Sequence, residues 1–304
     1  MKINVIYGSI VKKWLLFRNG CFGMKKILVV GLGLMGGAYC YNLSKLDDYE
    51  LYGIDVNYHA IDYAKEHGYI VDGDITPEVL IPKMDIIILA IYPQAIIHFL
   101  ENYRYLFNEN QIVTDICGVK TSFLEQATEL ALPADYCSHH PMAGREKVGI
   151  EYSERVIFKE ANYLVIPTSK TKDKSIKTIS RIGIDLGFKN VTTMSMSEHD
   201  NLIAYTSRLA HAIAVSLVNA DTNENTEKFI GDSYRDLTRI AMINENLWSE
   251  LFLENKDYLI KHIIEFEYQL DILKKALVDN NKDKLKELFI ESTKIRRGME
   301  KWKN

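Results

Sequence analysis

The chain has 304 residues, enough for one or two domains with a substantial core. Its hydrophobic content of 47% and charged content of 26% are ordinary for a globular protein. The formal net charge of −4 argues against a nucleic acid or an anionic membrane as the partner, because both attract basic surfaces. The four cysteines lack metal-binding spacing, which predicts reduced thiols in the cytoplasm and no metal site.

Residues 1–23 do not match the pattern of the rest of the chain. Their short apolar segment at 14–17 is closely flanked by Lys12, Lys13 and Arg18, and it lacks the longer apolar core of a signal peptide. We interpret them as an extension of unknown role.

From residue 24 to about 195, predicted strands alternate with predicted helices. Runs of β-branched and apolar residues, such as 86–90, are typical of strands buried on both faces. The alternation predicts a mostly parallel, doubly wound sheet in an α/β domain. The predicted strands are 26–30, 50–55, 85–90, 111–115, 135–139, 162–166 and 190–194, and the predicted helices include 94–107 and 173–187.

A glycine-rich turn follows the first predicted strand. Gly31, Gly33 and Gly36 have the G-x-G-x-x-G spacing, which indicates a Rossmann-type dinucleotide-binding domain. The first glycine permits a tight turn, the second lets a pyrophosphate approach the backbone, and the third lets helix and strand pack closely. The helix N-terminus, which includes Leu34 and Met35, then offers N–H donors and partial positive charge to the phosphates.

Asp55 ends the second predicted strand, 19 residues after Gly36. An acidic side chain at this place accepts hydrogen bonds from the ribose hydroxyls and repels a 2′-phosphate, so NAD is preferred over NADP. The competing interpretation is an ordinary surface aspartate after a strand. The nucleotide should lie across the carboxyl ends of the strands, where Tyr92 and Asp115 follow or end two further strands.

Two adjacent histidines end another predicted strand. A histidine there, pinned by a nearby proline and glycine, can project into the cofactor cleft and act as a general base near neutral pH. A lone histidine more often satisfies local backbone groups. The pair beside the turn favours a function for His140.

After about residue 196 the pattern is helical, with helices predicted over 198–220, 232–254, 256–279 and 282–301. Ser197 and Asp200 have the spacing of a capping box at the start of the first of these helices. At 100° per residue Asp200, Ser207 and His211 share one helix face, which is either a side facing a wet cleft or simply the solvated side. We expect this all-α domain to close over the nucleotide site and to supply a dimer surface.

Two arginines lie one turn apart on the second of these predicted helices. Arg235 and Arg239 can bind carboxylates in a bidentate manner and stay charged at all relevant pH values. The alternative is a surface ladder in which Asp232 and Asp236 pair with the two arginines. The spacing alone favours the ladder.

Taken together, five ordered blocks of sequence resemble the prephenate dehydrogenase family over residues 25 to 255, roughly. They are the glycine motif at 31–37, Asp115 with Lys120, the segment from His140 to Glu146, His199 and Asp200 followed by His211, and the segment from Arg235 to Ala241 followed by Trp248.

The resemblance implies NAD-dependent oxidative decarboxylation of prephenate to 4-hydroxyphenylpyruvate in tyrosine biosynthesis. It places the family's base on His140, the arginine for the ring carboxylate on Arg239, and a second active-site histidine on His211. The other site residues that it implies are Lys120, Arg235, Asp236, Glu146, Asp200 and Trp248.

The sequence patterns predict three parts of the chain. Residues 1–23 are the extension, 24–195 the NAD-binding domain, and 196–304 a helical domain that we expect to serve substrate binding and homodimerisation. Because the chain ends soon after the last predicted helix, we expect any feedback by tyrosine to act at the substrate pocket itself.

The chain departs from the family pattern at several positions. Gly118 stands where the family's loop has a catalytic serine, Arg208 and Ala210 replace a histidine and a proline, and Ala38 replaces a serine after the glycine motif. Loss of one hydroxyl donor should cost about 1–3 kcal/mol in the transition state, which slows the reaction without abolishing it.

Three alternatives to a prephenate dehydrogenase stay open. An arogenate dehydrogenase acts on a substrate with an amine in place of the side-chain keto group. A β-hydroxyacid dehydrogenase relies on a lysine in the long central helix, and residues 201–219 contain none. A non-catalytic NAD-binding regulator is suggested by Gly118, but it would have to lose the base as well, and His140 remains.

Overall fold

The computed structural model describes residues 24–144 and 147–300. The chain divides into two compact units, with the division after Met196. Among the helices of the described residues, none combines the length and the apolar character that crossing a bilayer requires.

Within the first unit, six parallel strands form one sheet in the order β3-β2-β1-β4-β5-β6. Strands β1 and β4 lie at its centre, where every residue of β4 is buried between helices. The order reverses between these two strands, which opens a crevice at their carboxyl ends. The prediction of a Rossmann-type parallel sheet is confirmed. The strands are β1 (Lys25–Val30), β2 (Tyr49–Ile54), β3 (Asp72–Asp74), β4 (Ile86–Leu89), β5 (Ile112–Asp115) and β6 (Asp135–Tyr136).

Helices connect these strands, as parallel pairing requires. The amphipathic helices turn their apolar residues to the sheet, and Pro93 starts one of them at a position where its missing N–H costs nothing. They are α1 (Leu34–Leu43), α2 (Tyr58–Glu66), α3 (Pro77–Leu80), α4 (Pro93–Tyr103) and α5 (Leu124–Leu130). A further helix of this unit, α6 (Asp173–Asp185), comes after these strands in the sequence. Short 3₁₀ turns occupy Ile81–Lys83, Arg104–Leu106 and Ile150–Arg155.

The last predicted strands of this unit form a separate sheet, contrary to the expectation of one sheet. The predicted strand 135–139 splits into β6 and β7 (Ser138–Pro141), and β7 pairs antiparallel with β8 (Asn162–Ile166), which pairs parallel with β9 (Asn190–Thr193). The split occurs because only Asp135 and Tyr136 continue the ladder beside β5. This break decides where the two histidines of β7 lie.

The second unit is helical, as predicted, but two of its helices are interrupted. A π-helical segment, Ala204–Arg208, separates α7 (Met196–Ile203) from α8 (Leu209–Asn219). The predicted helix 232–254 breaks into α9 (Asp232–Thr238), a 3₁₀ turn at Arg239–Ala241, and α10 (Glu245–Glu254). The break has a local cause, because the Asn244 side chain accepts a hydrogen bond from the Leu247 N–H and caps a new helix.

The two remaining helices, α11 (Lys256–Val278) and α12 (Lys282–Glu300), agree closely with the prediction. They are joined by a turn in which Asn280 has a φ of +48°, a conformation that asparagine tolerates. The predicted capping box is wrong, because α7 begins at Met196 and Ser197 therefore lies inside its first turn.

Candidate active site

The turn after β1 has a backbone conformation that requires its glycines. Gly31 has a φ of +93°, and a Cβ atom there would lie 2.6 Å from the carbonyl oxygen of Ala90. At Gly36 a Cβ atom would lie 1.9 Å from the carbonyl oxygen of Gly31, so α1 can begin this close to the turn only with glycine. A Cβ atom at Gly33 would meet nothing within 4 Å. Bare backbone therefore faces open space at the second glycine.

Helix α1 begins at this open side of the turn. Leu34 and Met35 are its first residues, and N–H groups in the first turn of a helix have no partner within it. Gly33 provides no side-chain cap for these donors. The donors and the partial positive charge of the helix N-terminus suit the oxygens of a pyrophosphate.

Two backbone donors fix Asp55 beside this turn. The N–H of Leu32 donates to Oδ2 at 2.7 Å, and the N–H of Asn57 donates to Oδ1 at 2.8 Å. Leu32 lies between the first two glycines of the motif, so the carboxylate sits directly against the turn. An ionised carboxylate has about four acceptor sites, which leaves room for ribose hydroxyls.

The carboxyl ends of three neighbouring strands lie along the same edge of the sheet. Val30 pairs with Leu89, and Leu89 pairs with Asp115, so the loops that follow these strands are neighbours. Tyr92, half-exposed, follows β4 and precedes α4, and the half-buried Gly118 lies in the loop after β5. The structure thus places both near the edge where a dinucleotide binds in this type of fold.

A buried ion pair lies at the loop after β5. Lys120 Nζ is 2.6 Å from Asp115 Oδ1, and both side chains are fully buried. The Tyr136 hydroxyl donates to Asp115 Oδ2 at 2.9 Å. Burial alone would raise the pKa of Asp115, but the charge and the hydrogen bond of Lys120 hold this pKa below its ordinary value. The carboxylate is therefore ionised and engaged within the protein.

We predicted contact with the cofactor for Asp115 and a catalytic part for Lys120, and the structure buries both side chains completely. Lys120 instead donates to the carbonyl oxygen of His139 at 3.0 Å. Lys120 therefore contacts the peptide group that precedes His140.

The two adjacent histidines of β7 have different environments. His139 is fully buried, with Nε2 2.8 Å from the Tyr39 hydroxyl and Nδ1 2.7 Å from the Thr114 hydroxyl. Its ring stacks on Tyr163. Burial lowers the pKa of His139 to about 3, so the ring is neutral with both nitrogens engaged. Successive side chains of a strand alternate in direction, and His140 is only half-buried. Of the two, His140 has the access that a general base needs.

Part of the predicted site falls outside the described residues. Glu146, predicted to shape the substrate pocket, lies there, as does the extension at 1–23.

In the second unit, Asp200 is buried against its neighbour. Its Oδ1 lies 2.7 Å from His199 Nδ1, and the Asn255 amide donates to the Asp200 carbonyl at 2.9 Å. We predicted that Asp200, Ser207 and His211 form one polar face, but the π segment changes the helical periodicity between them. Asp200 is thus fully buried, whereas Ser207 and His211 are half-buried.

His211 and Trp248 form a stacked pair. Their ring centroids lie 3.7 Å apart, with an angle of 30° between the planes. His211 Nδ1 lies 2.9 Å from the carbonyl oxygen of Ser207, which can only accept, so Nδ1 carries the hydrogen. This contact assigns the hydrogen to Nδ1, so Nε2 can accept when the ring is neutral and donate when it is protonated.

The two predicted substrate arginines are exposed. Arg235 on α9 donates to the Ile230 carbonyl at 2.9 Å and lies 3.6 Å from Asp232, as the ladder interpretation expects. Arg239 opens the 3₁₀ turn that follows α9, and Asp236 is exposed on the same helix. Both guanidinium groups are accessible enough to meet a carboxylate.

The sequence interpretation missed the groups that anchor these side chains. Tyr39 and Thr114 hold His139 from positions distant in the sequence, and no periodic pattern connects them. Arg208 was noted only as a departure, yet it is 2% exposed, and an arginine so deeply buried is unusual. A charged residue inside an apolar helical stretch was the one available signal.

Models of one family match both units. The description "Prephenate dehydrogenase, nucleotide-binding domain" fits residues 44–191, and "Prephenate dehydrogenase, dimerization domain" fits residues 195–291. The first match begins after the glycine turn, so the interpretation of that turn depends on its own geometry.

Individual relatives agree with the family models. The crystal structure of prephenate dehydrogenase from Aquifex aeolicus, in complex with hydroxyphenyl propionate and NAD⁺, is 30% identical and covers 92% of this chain and 99% of that one, with a TM-score of 0.82. Prephenate dehydrogenase of Lactococcus lactis is 27% identical over 91% of this chain and 78% of its own length. Cyclohexadienyl dehydrogenase of Zymomonas mobilis is 26% identical, over 90% and 95% respectively.

Proposed function

The chain belongs to the prephenate dehydrogenase family, and we propose that it catalyses the NAD-dependent oxidative decarboxylation of prephenate to 4-hydroxyphenylpyruvate. The observation that carries the proposal is the contrast on β7. His139 is buried and fully engaged, whereas His140 is only half-buried, beside a carbonyl that accepts a hydrogen bond from Lys120. A strand that presents one accessible imidazole on a fixed backbone suits general-base chemistry.

The first unit fits NAD as the cofactor. The open backbone at Gly33 and the first N–H groups of α1 would receive the pyrophosphate, and Asp55 would receive the ribose hydroxyls. When bound, NAD supplies the acceptor for a hydride. A 2′-phosphate would bring negative charge against Asp55, so we expect a strong preference for NAD over NADP.

His140 acts on the proton of the substrate hydroxyl. As the hydride leaves the carbon that bears this hydroxyl, the imidazole accepts the hydroxyl proton and the oxygen becomes a carbonyl oxygen. Loss of the ring carboxylate as CO₂ then yields the aromatic ring, which makes the overall reaction downhill. Gly118 offers no hydroxyl to this step, so the chain performs it with one donor fewer than the family pattern has.

The charged groups of the second unit suit a substrate with two carboxylates. Arg239 binds the ring carboxylate, and the accessible Arg235 and His211 contribute further donors for the anionic substrate. Asp236 and Trp248 shape the surroundings of these groups. These roles follow the family pattern at the matching positions.

Arogenate is the second candidate substrate, because the matched relatives include a cyclohexadienyl dehydrogenase as well as prephenate dehydrogenases. The test is formation of NADH with purified prephenate and, separately, with arogenate, each repeated with NADP. We expect one NADH and one 4-hydroxyphenylpyruvate for each prephenate consumed. If NADH formed with arogenate but not with prephenate, arogenate would be the substrate. If NAD were reduced with neither compound, the proposal would be contradicted.

We also propose that the chain is a homodimer through its helical unit. The second family model is a dimerization domain, and α11 and α12 expose large apolar side chains including Ile260, Ile264, Phe289 and Ile290.

Feedback by tyrosine, which shares the hydroxyphenyl ring of the product, should be competitive with prephenate. The buried reduced thiols of Cys40 and Cys137 are in keeping with a location in the cytoplasm.

A further inference from the structure

Arg208 is a buried charge at the end of the π segment. Its side chain is 2% exposed, and burial lowers its pKa to about 10, against the raising effect of the Asp200 carboxylate. The guanidinium is still charged at neutral pH. Burial of a charge costs free energy of desolvation unless hydrogen bonds compensate for the lost water. The contacts of the Arg208 guanidinium therefore indicate what this residue does.

The Arg208 side chain reaches the last turn of α10. Its Nε donates to the Leu251 carbonyl oxygen at 3.1 Å. In a regular helix this carbonyl would accept from the N–H of Asn255, but that N–H donates to Leu253 instead. Arg208 therefore caps α10 at its C-terminal end, where a cation also meets the negative end of the helix dipole.

A second contact, the His211–Trp248 stack, lies three residues from each partner of the Arg208–Leu251 hydrogen bond. Trp248 precedes Leu251 by three residues on α10, and His211 follows Arg208 by three residues on α8. Residues three apart on a helix lie on one face. The cap and the His211–Trp248 stack are thus neighbouring contacts that join α10 to the π segment and to α8, which continues from it. We therefore expect displacement of one contact to displace the other.

We propose that Arg208 is a positioning residue that holds Trp248 against His211 and thereby fixes the direction of the His211 Nε2. Ser207, in the same π segment, accepts from Nδ1 and sets the tautomer, while Arg208 sets the position of the indole against the ring. The inference deepens the proposed function, since it concerns how a substrate-binding histidine is oriented.

The first test reads the stacked pair without any activity. With Trp14 and Trp302 replaced by phenylalanine, Trp248 is the remaining tryptophan. In this background the indole emission should be quenched as His211 becomes protonated, because an imidazolium stacks on it. Arg208→Gln should weaken that pH-dependent quenching, and Arg208→Lys, which keeps the charge beside Asp200, should restore part of it.

The second test is a double-mutant cycle with prephenate. Arg208→Gln should lower kcat/KM about tenfold, chiefly through KM, and should leave the KM for NAD unchanged. In a Trp248→Phe background the same exchange should have little further effect, because the contact it supports is already altered. Arg181→Gln, which removes a half-buried arginine paired with Asp185 in the first unit, is the matched control and should change neither KM.

The outcomes separate the two proposals. Unchanged Trp248 quenching in Arg208→Gln, or effects on kcat/KM that add fully to those of Trp248→Phe, would overturn the positioning role. If Arg208→Gln fails to fold, Arg208→Lys takes its place: it lacks the Nε donor to the Leu251 carbonyl, so it should lose part of the quenching and part of kcat/KM, in the same direction. Absence of prephenate oxidation in the unaltered enzyme would contradict the proposed function, and the fluorescence test would still decide the role of Arg208.

Discussion

The polar side chains around β5 and β7 of the first unit and the predicted substrate-binding side chains of the second unit have opposite environments. Around β5 and β7, Asp115, Lys120 and His139 are fully buried, and hydrogen bonds within the protein engage them. In the second unit Arg235 and Arg239 are exposed, and His211 is half-buried. The buried set is fixed by its surroundings, while the more exposed set is accessible to a ligand.

This difference in burial predicts which measured quantity each set of side chains affects. A buried polar network contributes to folding and to the position of its neighbours, so its loss appears mainly in stability. An accessible cation contributes when an anion arrives, so its loss appears mainly in KM. The following variants test this division, in order of expected size.

Lys120→Met should give the largest loss of stability. It leaves the buried Asp115 carboxylate without its partner, which costs about 3–5 kcal/mol in the free energy of unfolding. Denaturant titration measures it. The double variant Asp115→Asn with Lys120→Met should recover much of the loss, because no unpaired charge remains. Lys25→Met, which breaks the partly exposed pair with Asp85, should cost at most about 1 kcal/mol. Equal losses for the two lysines would contradict the account.

His139→Asn should change how stability depends on pH. The pKa of His139 is about 3 in the folded protein, below the 6.5 of an unperturbed histidine, so the unfolded chain binds the extra proton. The free energy of unfolding therefore falls as the pH drops from 6.5 toward 3, by up to about 1.4 kcal/mol per pH unit.

Unfolding titrations at several pH values check this sign. His139→Asn should reduce the fall in the free energy of unfolding below pH 6.5, and the same exchange at the exposed His98 should leave this fall unchanged. An unaltered fall in His139→Asn would show that the His139 ring titrates normally.

Arg239→Ala should raise the KM for prephenate about tenfold to a hundredfold with a smaller change in kcat, because it removes a charged donor to a carboxylate. Steady-state kinetics measure it. Arg235→Ala should have a smaller effect, since its guanidinium is already bonded to the Ile230 carbonyl and lies near Asp232. An unchanged KM in Arg239→Ala would assign the carboxylate to another residue.

Gly118→Ser should have the smallest effect, with kcat held or raised within about tenfold, because it restores one hydroxyl donor. A large fall in kcat would show that the loop after β5 is built differently from the family pattern.

Local sequence patterns predicted the first unit well and its pairing less well. The run at 86–90 and the glycine turn identified a parallel sheet with a nucleotide crevice, since burial on both faces leaves a continuous apolar signal. Strand β3 was missed because Asp72, Gly73 and Asp74 carry no such signal. The second sheet was missed because pairing of β7 with β8 depends on contacts between distant residues, which a strand pattern does not encode.

The site shows the same limit. Two adjacent histidines were visible in the sequence, but only the contacts of Tyr39 and Thr114 separate the structural His139 from His140. In the helical unit, a uniform rotation of 100° per residue predicted that Asp200, Ser207 and His211 share one polar face. The π segment at Ala204–Arg208 has a different rotation per residue, so the prediction does not apply across it. Neither the π segment nor the break between α9 and α10 contains a proline or a glycine, the residues that usually mark an interrupted helix.

The most direct test of the central claim compares the same substitution at the two neighbouring histidines. For His140→Asn the account predicts a fall in kcat of about a hundredfold to ten-thousandfold, with NAD affinity and melting temperature close to those of the unaltered enzyme. For His139→Asn it predicts a lower melting temperature and a much smaller loss of kcat. Near-normal turnover of prephenate by His140→Asn would contradict the assignment of His140 as the base.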